Sequence, residues 1–306
     1  MVYRHDDERR ATLQAASIES LICIARPLRV HPPLTASDRN SIMLNPVPVL
    51  LYHAVTADPP EWIAPFAVSP AIFAAHLDTV IASGRQPVTV SQYADSLHGS
   101  AALPPKPVLI TVDDGFADFA DNALPALTER KLSSTLYVTT GALSGRKNES
   151  VLPPADMLSG ADLPGLEAAG VEIGAHSHTH RQLDLLPRRA VTDELSRSGS
   201  LLAEILGHRV RTFAYPHGYW SGTVRRLVGH AGFDSCCAVG EALASSRDHP
   251  LALSRFMVRA DTDVSTVQAW LDAPRSDVMP GRRRALAFAW RQYRRVRYGR
   301  KATPWR

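Results

Sequence analysis

The sequence predicts an α/β protein, a β/α barrel of about seven parallel strands with helices outside. Three observations carry that expectation. Short apolar, β-branched runs alternate with helical patterns along the chain, and their short connections suit a parallel sheet. The residues richest in chemistry, His53, Asp113, Asp114, the 176–180 histidines and His217, all fall where a predicted strand ends. In a closed barrel those C-terminal ends converge on one mouth. Finally, no glycine-rich phosphate loop joins a strand to a helix, which disfavours an open doubly wound sheet.

The elements follow in order. Residues 46–53 read as a strand delivering His53 at its end. Ser69 caps a helix with Pro70 at its first position, an apolar stripe (Ile72, Phe73, His76, Leu77, Val80, Ile81) and Gly84 as the stop. A shorter helix spans residues 90–97. Val108, Leu109 and Ile110 form an uninterrupted apolar run, as a strand buried on both faces requires. Residues 116–131 read as a helix broken near Pro125, 134–138 as a strand and 141–165 as a long loop. Residues 171–175 form a strand running into His176-Ser177-His178-Thr179-His180, and a long helix covers 188–206, stopped by Gly207. Strands at 211–215, 233–239 and 253–258 alternate with helices at 221–228 and 264–271.

Composition narrows the class. Hydrophobic content of 45% with 21% charged residues is ordinary for a globular protein. Cys23 and the neighbouring Cys236 and Cys237 make an odd count unsuited to a disulfide framework, so a reducing compartment is expected. No apolar run approaches the ~18–20 residues needed to cross a bilayer, and Leu21–Ala25 is too short for a signal-peptide core. A cytoplasmic chain is the expectation. Residues 1–45 read as an N-terminal extension, disordered or not native, with Met43 as an alternative start. Residues 46–275 form the barrel domain and 276–306 a basic tail.

The tail explains the charge. Residues 278–306 hold nine Arg and one Lys and no acidic residue, leaving 24 basic against 30 acidic residues elsewhere. Leu286, Trp290, Tyr293 and Val296 recur there at helical spacing among the arginines. That composition fits an interfacial helix on an anionic membrane surface, placing the protein at the inner face. A stripe packed on the barrel wall is the alternative. Nucleic acid is not expected, because no recognition motif accompanies the charge.

Two adjacent carboxylates at a buried strand end repel each other and are costly to desolvate, so they imply a cation or a shared proton. Three of the 12 histidines crowd into positions 176–180, and imidazole is a common transition-metal ligand. A carboxylate with two histidines leaves a coordination position open, as in catalytic zinc sites.

Thr111-Val112-Asp113-Asp114-Gly115, His176-Ser177-His178-Thr179-His180 and Phe213-Ala214-Tyr215-Pro216-His217-Gly218 resemble, in order and spacing, the first three motifs of NodB-type polysaccharide deacetylases, carbohydrate esterase family four. The resemblance implies a distorted β/α barrel, a divalent metal (zinc is expected) and hydrolysis of an N-acetyl group from an amino sugar in a glycan or lipid-linked saccharide. It implies Asp114, His176 and His180 as metal ligands and Asp113 as general base. His217 matches the position whose backbone N–H meets the oxyanion. Family members often carry arginine where this chain has Ala214; Arg255 or Arg259 could substitute. A C-terminal Leu-x-His is missing, but Leu51-Tyr52-His53 resembles the subgroup whose general acid lies on the first strand. His53 is therefore the expected acid, with a satisfied core histidine as the alternative. Tyr215, Trp220, His178 and Arg255 are expected near substrate, Trp220 by stacking on a sugar ring. Cys236 and Cys237 are expected to pack. Another metal-dependent amidohydrolase or phosphoesterase on a β/α barrel remains open, as does a non-catalytic glycan- or membrane-binding relative; retention of both aspartates disfavours the last.

Overall fold

The computed structural model describes residues 46–246, 248–273, 290, 293 and 294. The expected extension at 1–45 and most of the tail, including Leu286 and Val296, lie outside the described residues. Seven parallel strands, β1 (Val49–Tyr52), β2 (Pro107–Val112), β3 (Ser134–Val138), β4 (Val171–Ala175), β5 (Thr212–Ala214), β6 (Ser235–Cys237) and β7 (Phe256–Met257), form one sheet in the order β7-β1-β2-β3-β4-β5-β6. The sheet curls on itself as a distorted, incomplete barrel. A bridge between Cys237 and Leu253 ties β6 to the segment leading into β7.

Strand alternation sorts the side chains into two layers. Val49, Leu109, Tyr137, Ala214, Cys237 and Leu253 pack together inside the barrel. Their neighbours Leu50, Ile110, Val138, Ile173, Phe213 and Cys236 face outward, under the helices. Every residue of β2 is buried, as expected for a parallel strand covered on both faces. Gly174 has a steric reason to be glycine: a Cβ there would stand 2.6 Å from the Tyr137 ring. That ring crosses the barrel, and its hydroxyl bonds Thr212 at 2.8 Å and the Cys237 thiol at 3.3 Å.

The outer helices are α1 (Pro70–Ala82), α2 (Val90–Leu97), α3 (Leu124–Glu129), α4 (Leu163–Ala168), α5 (Arg188–Leu206), α6 (Gly222–His230) and α7 (Val264–Leu271). Ser69 accepts from Ile72 N–H as the expected cap of α1, and Thr89 and Gln92 form a capping box on α2. Gly207 closes α5 at φ 76°. Two sequence expectations are corrected, and three short strands are added. The helix expected over 116–131 is a π-helical turn, Phe119–Ala123, followed by α3, because Pro125 cannot continue the ladder and is accepted only near a helix start. The loop expected to 165 ends earlier, where α4 begins at Leu163. The two-residue strands Ala54–Val55, Ala67–Val68 and Gln86–Pro87 are too short to leave a periodic signal. Cys236 and Cys237 are buried free thiols.

Asp118 braces this frame at an electrostatic cost. Its Oδ2 accepts from Val55 N–H at 3.1 Å, while Oδ1 is enclosed without a hydrogen-bond partner. Burial pushes the carboxyl up to about 6, helped by Asp121 and opposed by the Val55 bond. Between about pH 4 and 6 the unfolded chain ionises while this folded carboxyl holds its proton, so its contribution is full in acid and lost as pH rises through 6. Asp118→Asn should therefore raise stability by about 1–2 kcal/mol near pH 8, allowing for partial exposure, and by nothing near pH 4. Urea denaturation at the two pH values measures it; an equal effect at both would mean that the carboxyl is ionised throughout.

Candidate active site

Alternation along β2 aims its end into the barrel mouth. Leu109 and Thr111 point inward, and Asp113, next in that row, is 2% exposed. Asp114 follows with φ at 76°, which turns its carboxylate to the same mouth as the histidines after β4. His180 Nε2 lies 3.1 Å and His176 Nε2 3.4 Å from Asp114 Oδ1.

The donor set fits a divalent cation. Both oxygens of Asp114 are buried without a hydrogen-bond partner, a costly state for a carboxylate unless a cation compensates it. One donor atom each from Asp114, His176 and His180 lies within 4.8 Å of the others. His176 Nδ1 donates to the Ala214 carbonyl at 2.9 Å, since a carbonyl can only accept. That fixes the tautomer and leaves Nε2 as the lone pair facing Asp114. Burial pushes the Asp114 carboxyl up, but His180 and His176 outweigh it and hold the group well below the usual carboxylate range.

Asp113 is compensated differently. Arg255 donates NH1 to its Oδ1 and NH2 to its Oδ2, each at 2.7 Å, with both side chains buried. Burial again pushes the carboxyl up, and Arg255 with His176 outweighs it. The arginine is itself fixed by Nε on the Ala238 carbonyl at 3.0 Å and by Thr111 Oγ at 3.2 Å. Ala214 leaves its usual partner position empty of charge, and Arg255 fills the need from β7's approach. Arg259, the other candidate, sits with Glu241 at 3.4 Å instead.

These groups open onto a cavity of about 230 Å³ whose wall includes His53, Asp113, His176, His180 and His217. His53 keeps some exposure through the cavity, yet its Nδ1 is enclosed without a hydrogen-bond partner; a satisfied core histidine would have one. Burial lowers its pKa, and Asp114 and Asp113 push it back up. His217 stands at φ 57°, its ring 4.8 Å from that of His180.

Four residues expected near substrate are placed elsewhere. Tyr215 belongs to the outward row of β5 with Phe213, is fully buried, and gives its hydroxyl to the Leu251 carbonyl at 2.8 Å. Trp220 packs on Tyr215 under Arg225. His178 turns away, with Nδ1 2.9 Å from Thr140 Oγ and Nε2 3.5 Å from Glu149. Arg255 meets Asp113 and does not line the cavity.

Other contributors stand out only in the structure. Glu194 of α5 accepts from His178 N–H at 3.0 Å and from Thr179 N–H at 2.7 Å, and bonds the Thr179 hydroxyl, so it holds the histidine loop. Its sequence signal was an acidic residue inside the buried stripe Val191, Leu195, Ser198, Leu202. Gln182, Tyr219, Trp290 and Arg294 also line the cavity.

The polysaccharide deacetylase family model matches residues 100–236. The putative polysaccharide deacetylase YxkH of Bacillus subtilis is 23% identical over 228 residues, covering 74% of this chain and 76% of that one. Among solved structures, IcaB from Ammonifex degensii is 28% identical with a TM-score of 0.65, covering 75% of this chain and 98% of that one. The deacetylase PplD of Streptococcus pyogenes, in complex with acetate, is 22% identical with a TM-score of 0.66 over 74% of this chain and 98% of that one. The chain is thus similar to polysaccharide deacetylases over residues 100–236 and shares their fold.

Two substitutions probe the site. His180→Ala should lower zinc content in the purified protein and flatten the rise in melting temperature on adding zinc; full zinc occupancy in that variant would remove His180 from the ligand set. Arg255→Ala leaves Asp113 buried and unpaired, and should destabilise the fold by about 3–5 kcal/mol. A loss below 1 kcal/mol by urea denaturation would mean that the pair is solvated.

Proposed function

We propose that this protein is a metal-dependent hydrolase that removes the acetyl group from an N-acetylated amino sugar in a glycan or lipid-linked saccharide. The observation that carries the reading is the division between the two aspartates. Asp114 faces two histidine nitrogens with its oxygens otherwise unbonded, while Asp113 is clamped by an arginine at the edge of the same cavity. Simple binding needs no such division; hydrolysis does.

When held by Asp114, His176 and His180, a divalent cation, zinc by the donor types, supplies a Lewis acid that polarises a carbonyl and acidifies water. The protein's own residues do the rest. Asp113, kept ionised and oriented by Arg255, takes the proton of the attacking water. The backbone N–H of His217, presented by the 216–218 turn, meets the oxygen that gains charge at the acetyl carbon. His53 gives a proton to the departing amine. Burial outweighs the two carboxylates and holds the His53 pKa below the ordinary histidine value, so its proton is readily given up.

The sugar-acting assignment draws on the family match and on the fold shared with IcaB and PplD. Another amidohydrolase or phosphoesterase is the weaker reading, since no observation here favours it. No helix among the described residues is long and apolar enough to cross a membrane. A cytoplasmic protein whose basic tail touches the inner membrane face is part of this proposal, motivated by the ten basic residues of 278–306.

Acetate release across a panel of N-acetylated glycans is the direct test. Asp113→Asn should keep zinc and lose about 10²–10⁴ in turnover, the scale of a general base. His53→Ala should also keep zinc and lose rate, with a changed pH profile. Near-normal turnover in Asp113→Asn would show that a different group takes the proton.

A further inference from the structure

Trp290 and Arg294 of the tail reach the cavity that Asp113, His176 and His180 line. Arg294 is 3% exposed and bonded through both terminal nitrogens: NH1 donates to Gln182 Oε1 at 2.7 Å and to Asp184 Oδ1 at 3.1 Å, and NH2 donates to Asp184 Oδ2 at 2.6 Å. Its guanidinium lies 3.7 Å from the centre of the Tyr219 ring. Such a buried, forked pair belongs to a docked segment, because a solvated arginine gains nothing from losing its water.

The docking puts the Trp290 ring at the cavity, with a second ring stacked on it. Trp290 and Tyr293 stack with centroids 5.2 Å apart and an 18° interplanar angle. They are nevertheless 46% and 51% exposed, among the few large apolar side chains of the described residues that are. The Trp290 indole N–H is given to Tyr219 Oη at 3.2 Å, which fixes the ring plane. Half-exposed, oriented aromatic faces next to polar acid–base groups suit a ligand with an apolar C–H face and a polar rim, which describes a pyranose ring.

We propose that Trp290, backed by Tyr293 and anchored through the Arg294–Asp184 pair, is a specificity-determining platform on which the sugar ring stacks while its acetamido group enters the cavity. The proposal rests on the deacetylase reading for the substrate's identity, but the platform can be measured by binding alone. It also assigns Trp290 and Tyr293 to the substrate and away from lipid. An interfacial helix would present Trp290 to a membrane, whereas here its indole lines the cavity wall.

The test uses the full-length, zinc-loaded protein and oligomers of N-acetylglucosamine, following acetate release and, separately, saccharide binding by calorimetry. Trp290→Ala should keep zinc content and raise KM and Kd about 2- to 12-fold, the scale of one aromatic contact, with the loss in KM and not in kcat. Trp290→Phe should recover most of that loss. Asp184→Asn, which weakens the anchor while leaving Trp290 intact, should give a similar rise. Unchanged KM and Kd in Trp290→Ala, with an active wild type, overturn the platform. So does an unchanged KM together with weaker sedimentation on phosphatidylserine vesicles, which would make Trp290 a lipid contact. Wild-type binding that Trp290→Ala weakens, without acetate release from any oligomer, keeps the platform and removes the deacetylase reading. No binding and no release removes both.

Discussion

Two carboxylates end one fully buried strand, and desolvation opposes both of their charges. Neither could stay ionised there unless its surroundings repaid that cost, and the two are repaid differently. Asp113 receives a planar guanidinium that matches its two oxygens at 2.7 Å each. Asp114 receives imidazole nitrogens at 3.1 and 3.4 Å and no hydrogen bond, an arrangement that a cation completes. A carboxylate saturated by arginine stays ionised and competes poorly for a metal; one facing two imidazole nitrogens is arranged as a cation site. The difference in partners divides the labour between adjacent, chemically identical residues.

Holding these groups together strains the backbone. Among the described residues six non-glycine positions have positive φ, and four of them, Asp114, Ser177, His180 and His217, lie in the site or its histidine loop. Each costs on the order of 1–3 kcal/mol and persists only where its neighbours over-determine it. The neighbours are visible. Thr139 N–H donates to Asp114 O at 3.1 Å, Ser177 Oγ accepts from His180 N–H at 3.0 Å, and Glu194 takes the two amides between them. The strain is confined to loops at one end of the barrel, while the interdigitated inner and outer layers supply the stability beneath.

What the sequence disclosed follows from which interactions are local. Helices α2, α5 and α7 match their expected spans residue for residue, because caps and 3.6-residue stripes are written in contiguous sequence. The parallel sheet and the placing of Asp113 at a strand end follow from the alternation of apolar runs with helical stripes. Tyr215 and Trp220 were misplaced because a motif fixes neighbours in sequence, whereas the pleat sends Ala214 and Tyr215 to opposite faces. The π-helical turn depends on packing, and Glu194, Gln182 and Arg294 act across distances of 15 to 112 residues. No window of sequence contains such contacts. Arg255 lies between these cases: the lack of a cation at Ala214 announced that one was needed, but only the curled sheet shows which arginine arrives.

That displacement changes how the fold and the chemistry are coupled. An arginine at position 214 would reach the base from β5, within the continuous run of the sheet. Arg255 comes from the segment that closes the barrel, between the Leu253 bridge to Cys237 and the pairing of β7 with β1. Its side chain spans the seam, with Nε on the Ala238 carbonyl after β6 and the guanidinium edge on Asp113 after β2. The pair therefore requires a closed seam, and the closed seam buries a charge that only this pair neutralises. A barrel opened at that edge would release Arg255 to water and leave Asp113 without the partner that holds its carboxyl low. Closure of the fold and ionisation of the base are one equilibrium, in which Arg255, just ahead of the last strand, acts on the base without lining the cavity.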